Sequence, residues 1–270
     1  LLRQYAEEKL SQLGDLEDKA RDRQARYFAR FLESGMRRML GEDQAAAFDA
    51  VAEEFDDIHQ AWEWWVRRGE FGRLVDQMLL PLYIYATARF VGIDVAPLLE
   101  RAVELMKLEM GGGTLAAGAT AVGDESDRQV HYASLLIARA AIYMNYFTQE
   151  FSPGNVDAAW KIVQSLGDDG PRRLGFWYAI INLIYGMFAD REAARANLRA
   201  FLDEPGEQGE MTVAYTRQAL ARLLIREFAP EADLLEARRQ LGEALAVFER
   251  RGNHDARAAA CADLADINML

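Results

Sequence analysis

Asp56 and His59 stand three positions apart in EFDDIHQAW, a spacing that sets a carboxylate and an imidazole on one face of a helix. Helical di-metal sites use two such pairs. The chain has three histidines. His131 and His254 follow Arg128 and Arg251 by three positions, so neither has a carboxylate partner at that spacing and no second pair arises. Asp56 and His59 therefore read as part of a solvated acidic face, and no metal is expected. Glu53-Glu54 and Asp56-Asp57 imitate paired catalytic carboxylates, but nothing apolar surrounds them to raise a pKa. The glycine-rich segment GGGTLAAGATAVGDES (111–126) has no following lysine and no preceding strand, so it does not make a phosphate loop. No nucleophile elbow, zinc spacing or serine–histidine signature occurs. The single cysteine, Cys261, excludes an internal disulfide and in AAACADLA reads as a buried small hydrophobe. No catalytic residue and no cofactor is expected.

A binding constellation is easier to find. Tyr132, Leu136, Arg139, Tyr143 and Tyr146 recur every three or four positions and form one helical ridge. Tyr178, Asn182 and Tyr185 make a similar row on a later helix. Arginine among tyrosines offers fixed donors and stacking faces at little entropic cost. The expected partner-contacting residues are Tyr132, Arg139, Tyr143, Tyr146, Tyr178, Asn182 and Tyr185. The competing explanation is packing, with half-buried rings and wet hydroxyls. The tryptophan cluster QAWEWWVRRGEF divides in the same way. Phe48, Val51, Phe55, Ile58, Trp62, Trp65 and Val66 fall in one apolar stripe, whereas Trp64 lies on the opposite, acidic face.

The elements that must carry these residues are helices. Alanine and leucine outweigh valine and isoleucine, and proline occurs only six times. Periodicity places helices near 1–13, 17–40, 43–68, 71–91, 94–110, 126–149, 154–166, 171–188, 191–202, 210–228, 231–251 and 254–269. Gly41 and Gly69 are placed as C-terminal stops, and Asp190 and Asn253 as N-caps. Pro153, Pro171 and Pro230 open helices. Connections this short force consecutive helices into hairpins. Ala159, Ala194 and Ala237 recur near the period of tetratricopeptide (TPR) repeats. The small set Gly175, Ala179, Asn182 and Gly186 offers a flat edge for close packing. The expected fold is an all-α, TPR-like solenoid of helical hairpins, a right-handed superhelix of about eleven or twelve helices. Its expected parts are 1–40, first hairpins over 41–110, a flexible connection over 111–125, and further hairpins over 126–270.

Charge narrows the partners. The net charge is −12, and eight acidic residues with no Lys or Arg among them lie between Glu42 and Glu63. The arginines are scattered as doublets rather than gathered, so direct nucleic-acid contact is not expected. The longest apolar stretch, GFWYAIINLIYGMF, has 14 residues, too few to span a bilayer. The lone cysteine suits a cytoplasmic protein.

One resemblance adds to this. EFDDIHQAWEWWVRRGEF, with LLRQYAEEKL before it and APLLERAVEL after it, resembles a region of bacterial STAND-type (NB-ARC/NACHT-like) ATPase regulators. In that family a nucleotide-binding module and a winged helix precede a TPR-like array, often fused to a LuxR-type DNA-binding domain. Glu54, Asp56, Trp64, Arg68 and Gly69 match the family pattern EHDNLRAALRWALERGD; His59 and Trp62 depart from it. Leu98 to Ala102, with Val103, matches RWLERAL. The resemblance covers roughly residues 1–105. It implies a non-catalytic sensor region that binds a protein, a peptide or a small-molecule inducer and acts on an attached ATPase module, this chain being a piece of a longer protein. It also favours Trp64 as a packing residue. The alternatives are a structural spacer or oligomerisation scaffold and, third, an all-helical enzyme.

Overall fold

The computed structural model describes residues 15–41, 43–111, 124–146, 153–204, 206, 208–225 and 229–269, and every regular element among them is helical. The elements are α1 (Asp15–Met39), α2 (Gln44–Glu53), α3 (Phe55–Arg68), α4 (Phe71–Leu74), a π-helical turn (Val75–Leu79), α5 (Leu80–Arg89) and α6 (Gly92–Met110). There follow α7 (Glu125–Tyr146), α8 (Pro153–Ser165), a 3-10 turn (Gly167–Asp169), α9 (Gly170–Leu174), α10 (Phe176–Phe188), α11 (Arg191–Asp203), α12 (Glu210–Leu224), α13 (Glu231–Arg251) and α14 (His254–Met269). The helix expected over 1–13, most of the connection expected over 111–125, and the ends 147–149 and 226–228 of two expected helices lie outside the described residues.

Stop signals work where the chain provides them. Gly69 takes a left-handed φ of 70°, and the Glu70 N–H reaches the Trp65 carbonyl at 3.0 Å to close α3. Gly252 does the same for α13 with φ 67°, and the Asn253 N–H reaches Phe248 at 2.9 Å. Asp190 caps α11 by accepting from the Ala193 N–H at 2.9 Å.

Three breaks depart from the expected helices. The stretch 43–68 is two helices meeting at Glu54, because α2 packs on α1 and α5 while α3 packs on α1 and α6. Tyr85 of α5 fills the corner, its ring 6.4 Å from Phe48 and 5.8 Å from Phe55. The stretch 71–91 widens into the π turn just before Pro81, which has no N–H to return to Gln77 and whose ring would crowd that carbonyl. It ends at Phe90, a non-glycine residue at φ 57° with 81% of its surface exposed. Finally 171–188 breaks at Gly175, whose φ of 52° with ψ −117° is backbone that only glycine adopts readily. Gly175 is thus a break rather than part of a flat helical edge. Gly186, from the same expected set, does permit close packing: a Cβ there would stand 2.8 Å from both Ala194 Cβ and a Leu223 methyl.

Neighbours along the chain pack on one another: α6 on α7, α7 on α8, α10 on α11 and α12, α12 on α13, and α13 on α14. Ala159, Ala194 and Ala237 are all fully buried in these contacts. Trp62 and Trp65 are fully buried, and Trp62 donates from Nε1 to the Leu98 carbonyl at 3.1 Å. Trp64 is half-buried against the same core, with the Arg68 guanidinium 5.4 Å from its ring centre. Cys261 is exposed rather than buried. α14 buries Ala256, Ala260 and Ile267 toward its neighbours, and Cys261 sits one position past that stripe.

Two segments far apart in sequence also meet. Gln44, at the start of α2, lies against the α13–α14 junction, 209 residues away from Asn253.

Candidate functional site

A helix start leaves its first backbone N–H groups without helical partners. At α14 the chain satisfies each of them, and half of the solution comes from α2. The Gln44 side-chain oxygen accepts from the N–H of His254 at 2.8 Å and of Asp255 at 3.3 Å. The Asn253 side chain caps Ala256 at 3.0 Å, and its backbone carbonyl takes Arg257 at 3.0 Å. The Gln44 amide nitrogen donates to Asn253 Oδ1 at 3.1 Å and to the Met39 carbonyl at 2.7 Å, and Gln44 is only 6% exposed. Gly41 is needed beside this seam, because a Cβ there would come within 3.3 Å of the Arg251 carbonyl. Net hydrogen bonds of this kind contribute on the order of 1 kcal/mol each, and more is lost when a buried partner is left unpaired.

The seam closes one side of a cavity of about 270 Å³. Its walls come from the end of α1, the start of α2, and from α5, α7, α10, α12 and α14. An aromatic chain crosses it. The Tyr83 ring lies 5.2 Å from Trp177 and 5.9 Å from Phe176, Phe176 lies 5.2 Å from Tyr215, and Tyr215 lies 5.2 Å from Phe248. Most of these contacts are edge-to-face, the arrangement that ring quadrupoles favour. Between the rings stand amides and charges: Gln44, Asn145, Gln218, Asn253, Arg222 and Asp255.

The hydroxyls here resist ionisation. Burial, with Tyr215 and Tyr146 nearby, pushes Tyr83 far above the usual tyrosine range. Tyr215 is pushed up to about 12, mainly by burial, with the hydrogen bond from Asn253 pulling the other way. Asn253 Nδ2 donates to the Tyr215 oxygen at 3.1 Å. Tyr83 is only 8% exposed and lines the cavity. Arg222 and Gln218 both turn to Asp263, Arg222 Nε at 2.9 Å and Gln218 at 2.8 Å.

No protein-family model, curated protein or solved structure matches this chain.

The residues expected from sequence to contact a partner are held in several separate settings. On α7, Tyr143 donates to Glu100 of α6. Arg139 and Tyr132 are partly buried on the same helix, with Glu100 and Glu104 holding the arginine's charge against the pull of burial. Tyr146 donates to the Ala86 carbonyl at 2.8 Å, and its ring fills the space where Gly92 lacks a side chain. On α10, Tyr178 is buried with its ring 5.7 Å from Phe201 of α11. Asn182 is fully buried, donating to the Tyr178 carbonyl at 2.9 Å and accepting from Asn197 at 3.0 Å. Tyr185 stacks flat on Trp160 of α8 at 4.2 Å. These seven side chains each engage a neighbouring helix or their own, and Tyr146 stands next to the cavity-lining Asn145.

His131 has a partner that helical spacing could not show. Its Nε2 lies 3.4 Å from Asp76 on the π turn, and its ring packs on Gly72. Among the described residues no three His, Cys, Asp or Glu side chains gather as metal ligands would, and no helix is long and apolar enough to cross a membrane.

Sequence reading missed Tyr83, Gln44 and Asp255. Asn253 was legible as a cap, but nothing local marks Gln44 as the second half of the same cap. A basic face was also missed: Lys19, Arg23, Arg26 and Arg30 line one side of α1 around Tyr27, at spacings of four, three and four. That periodicity was readable beside the doublets.

Proposed function

We propose that this chain is the ligand-sensing, TPR-like helical array of a cytoplasmic STAND-type signal-transducing regulator. It is non-catalytic in itself and takes a small-molecule inducer in the cavity beneath the Gln44–Asn253 seam. The observation that carries the reading is the seam. Side chains 209 positions apart complete one helix cap at the edge of an open cleft lined by aromatic rings and amides. Ligand sites combine apolar walls with a few placed polar groups in this way, and at about 270 Å³ the space suits a small ligand. The packing of α10/α11 and α12/α13 as successive pairs, each with a buried anchor alanine, supports an array of helical hairpins.

A cleft bordered by contacts between distant segments is suited to signalling. A ligand bridging α5, α10 and α14 favours the closed arrangement over an opened one, and a population shift follows from that difference in affinity. In the longer parent protein the shift would be felt by an attached ATPase module and, through it, by a transcriptional effector domain. The test is retention of a small molecule. Wild-type protein incubated with a bacterial small-molecule extract and examined by non-denaturing mass spectrometry should carry a bound mass that is released chemically unchanged. The cavity-filling variant Ala256→Trp should not carry it. A wild-type protein that retains nothing, or that releases an altered molecule, contradicts the reading.

A further inference from the structure

Across much of the surface, cations are paired between helices: Arg68 with Asp18, Arg173 with Asp127, Arg199 with Glu236, Arg222 with Asp263 and Arg251 with Glu210. The outer face of α1 is different. Lys19, Arg23, Arg30 and Arg37 are exposed and make no ion pair or side-chain hydrogen bond among the described residues. Arg26 beside them is held by Asp22. A single exposed lysine or arginine needs no partner in water. Four along one face repel one another, and Lys19 with Arg23 and Arg26 with Arg30 stand at the i, i+4 spacing where like charges destabilise a helix. In a chain of net charge −12 this is a local excess of the opposite sign.

The spacing on that face suits a helix. α1 turns Ala25, Phe28, Ala29, Leu32 and Met39 into the core. On the opposite side Leu16, Ala20, Arg23, Tyr27, Arg30 and Arg37 are exposed, at spacings of four, three, four, three and seven. A period of seven residues in two steps is the seam along which a second helix lies. Leu16 and Tyr27 are 55% and 62% exposed, large apolar bodies left open to solvent on that seam. An open groove of about 540 Å³ follows it, lined among the described residues by Lys19, Asp22, Arg23, Arg26, Tyr27 and Arg30. From Lys19 to Arg37 the line is about 27 Å long at the helical rise.

The residues just before α1 do not supply the missing charge, because LLRQYAEEKLSQLG sets Arg3 and Lys9 against Glu7 and Glu8. A nucleic acid is disfavoured, since the chain's net charge repels a phosphate backbone, which also gains nothing from Leu16, Ala20 and Tyr27 in helical register. We infer that the outer face of α1 docks an acidic amphipathic helix of a partner protein. The partner's carboxylates stand against Arg23, Arg30 and Arg37, and its apolar ridge packs on Leu16, Ala20 and Tyr27. None of these residues lines the cleft beneath the Gln44–Asn253 seam, so this inference and the sensor reading stand or fall separately.

The test is fluorescence anisotropy on the whole chain at low salt with a labelled peptide, three repeats of Glu-Leu-Ala-Glu-Glu-Leu-Glu. Its counterparts with Gln or Lys in place of Glu, and an oligothymidylate of similar length, are the comparisons. The Glu peptide should bind, on the order of tenfold or more tighter than the Gln peptide, and the affinity should fall as salt is added. The Lys peptide and the oligothymidylate should not bind. Arg23→Glu with Arg30→Glu should abolish binding of the Glu peptide. Arg101→Glu with Arg257→Glu, which changes the net charge equally at exposed positions off the line, should leave it unchanged. Both double variants should melt close to wild type, so that lost binding is not lost folding. Equal binding of the Glu and Gln peptides, or no binding of the Glu peptide, overturns the inference. Oligothymidylate binding that Arg23→Glu with Arg30→Glu removes assigns the face to nucleic acid and overturns it too. So does a wild-type dimer in sedimentation that the same variant dissolves, because a second copy then covers α1.

Discussion

Between α1 and α10 the core is built of large side chains: Trp62, Trp65, Leu32, Met39, Ile58 and Met78 are each almost wholly buried. From α10 to α14 it is built of alanine and leucine, with Ala194, Ala214, Ala237, Ala244 and Ala260 buried beside Leu198, Leu220 and Leu241. In this half the helices break at Glu54, over Val75–Leu79 and at Phe90. Small residues let helices approach closely, as α10, α11 and α12 do at Gly186. One half is therefore sensitive to emptying and the other to filling.

The largest expected effect is in the aromatic half. Trp62→Ala should cost about 3–5 kcal/mol in urea unfolding, because the ring is fully enclosed and its cavity cannot collapse. A cost near 1 kcal/mol would show that this half relaxes as readily as the other. In the alanine half the opposite change is the damaging one. Gly186→Val should cost about 1–3 kcal/mol through overpacking against Ala194 and Leu223. If the variant is neutral, the close approach of α10, α11 and α12 is not a constraint.

The boundaries of the two halves were unequally legible for the same reason. α13 begins and ends, and α14 begins, where Pro230, Gly252 and Asn253 say they should, because capping is local chemistry written in adjacent residues. The break at Glu54 has no such mark. It exists because Tyr85 occupies the corner, and Tyr85 is thirty-one positions away. The cavity was illegible on the same ground. Helical periodicity brought out Tyr132, Arg139, Tyr143 and Tyr146 as one ridge, but which neighbour covers a ridge is decided by tertiary contacts. The pairing of Gln44 with Asn253 spans 209 residues. His131 shows the lesson in small: its partner Asp76 comes from another element, not from three positions along the helix.

Smaller effects sharpen the contrast at the edges of the alanine half. Asn253→Ala should cost about 0.5–2 kcal/mol, read by thermal unfolding, since it removes the α14 cap and a hydrogen bond to Tyr215 together. A cost confined to the lower end would mean that Gln44 suffices alone. Between α11 and α13, Arg199 holds Glu236 through bonds of 3.1 and 2.6 Å and keeps its carboxyl below the usual range. A folded pKa below the unfolded one gives stability that is present above the ordinary carboxylate range and lost as pH falls through the lowered folded value. Arg199→Ala should therefore cost under about 1 kcal/mol at neutral pH, screened because both side chains are partly exposed. The difference from wild type should vanish in acid, and a difference that persists there would assign the effect to packing instead.

Gln44 ties the two halves together across the seam, and amide hydrogen exchange tests that tie most directly. If α2 caps α14, the His254 and Asp255 amides are protected in the wild-type protein. Gln44→Ala then exposes both to exchange while the Glu70 amide that closes α3 keeps its rate. Equal exchange of His254 and Asp255 in wild type and Gln44→Ala would mean that α2 does not cap α14, and the cleft beneath the seam would lose that wall.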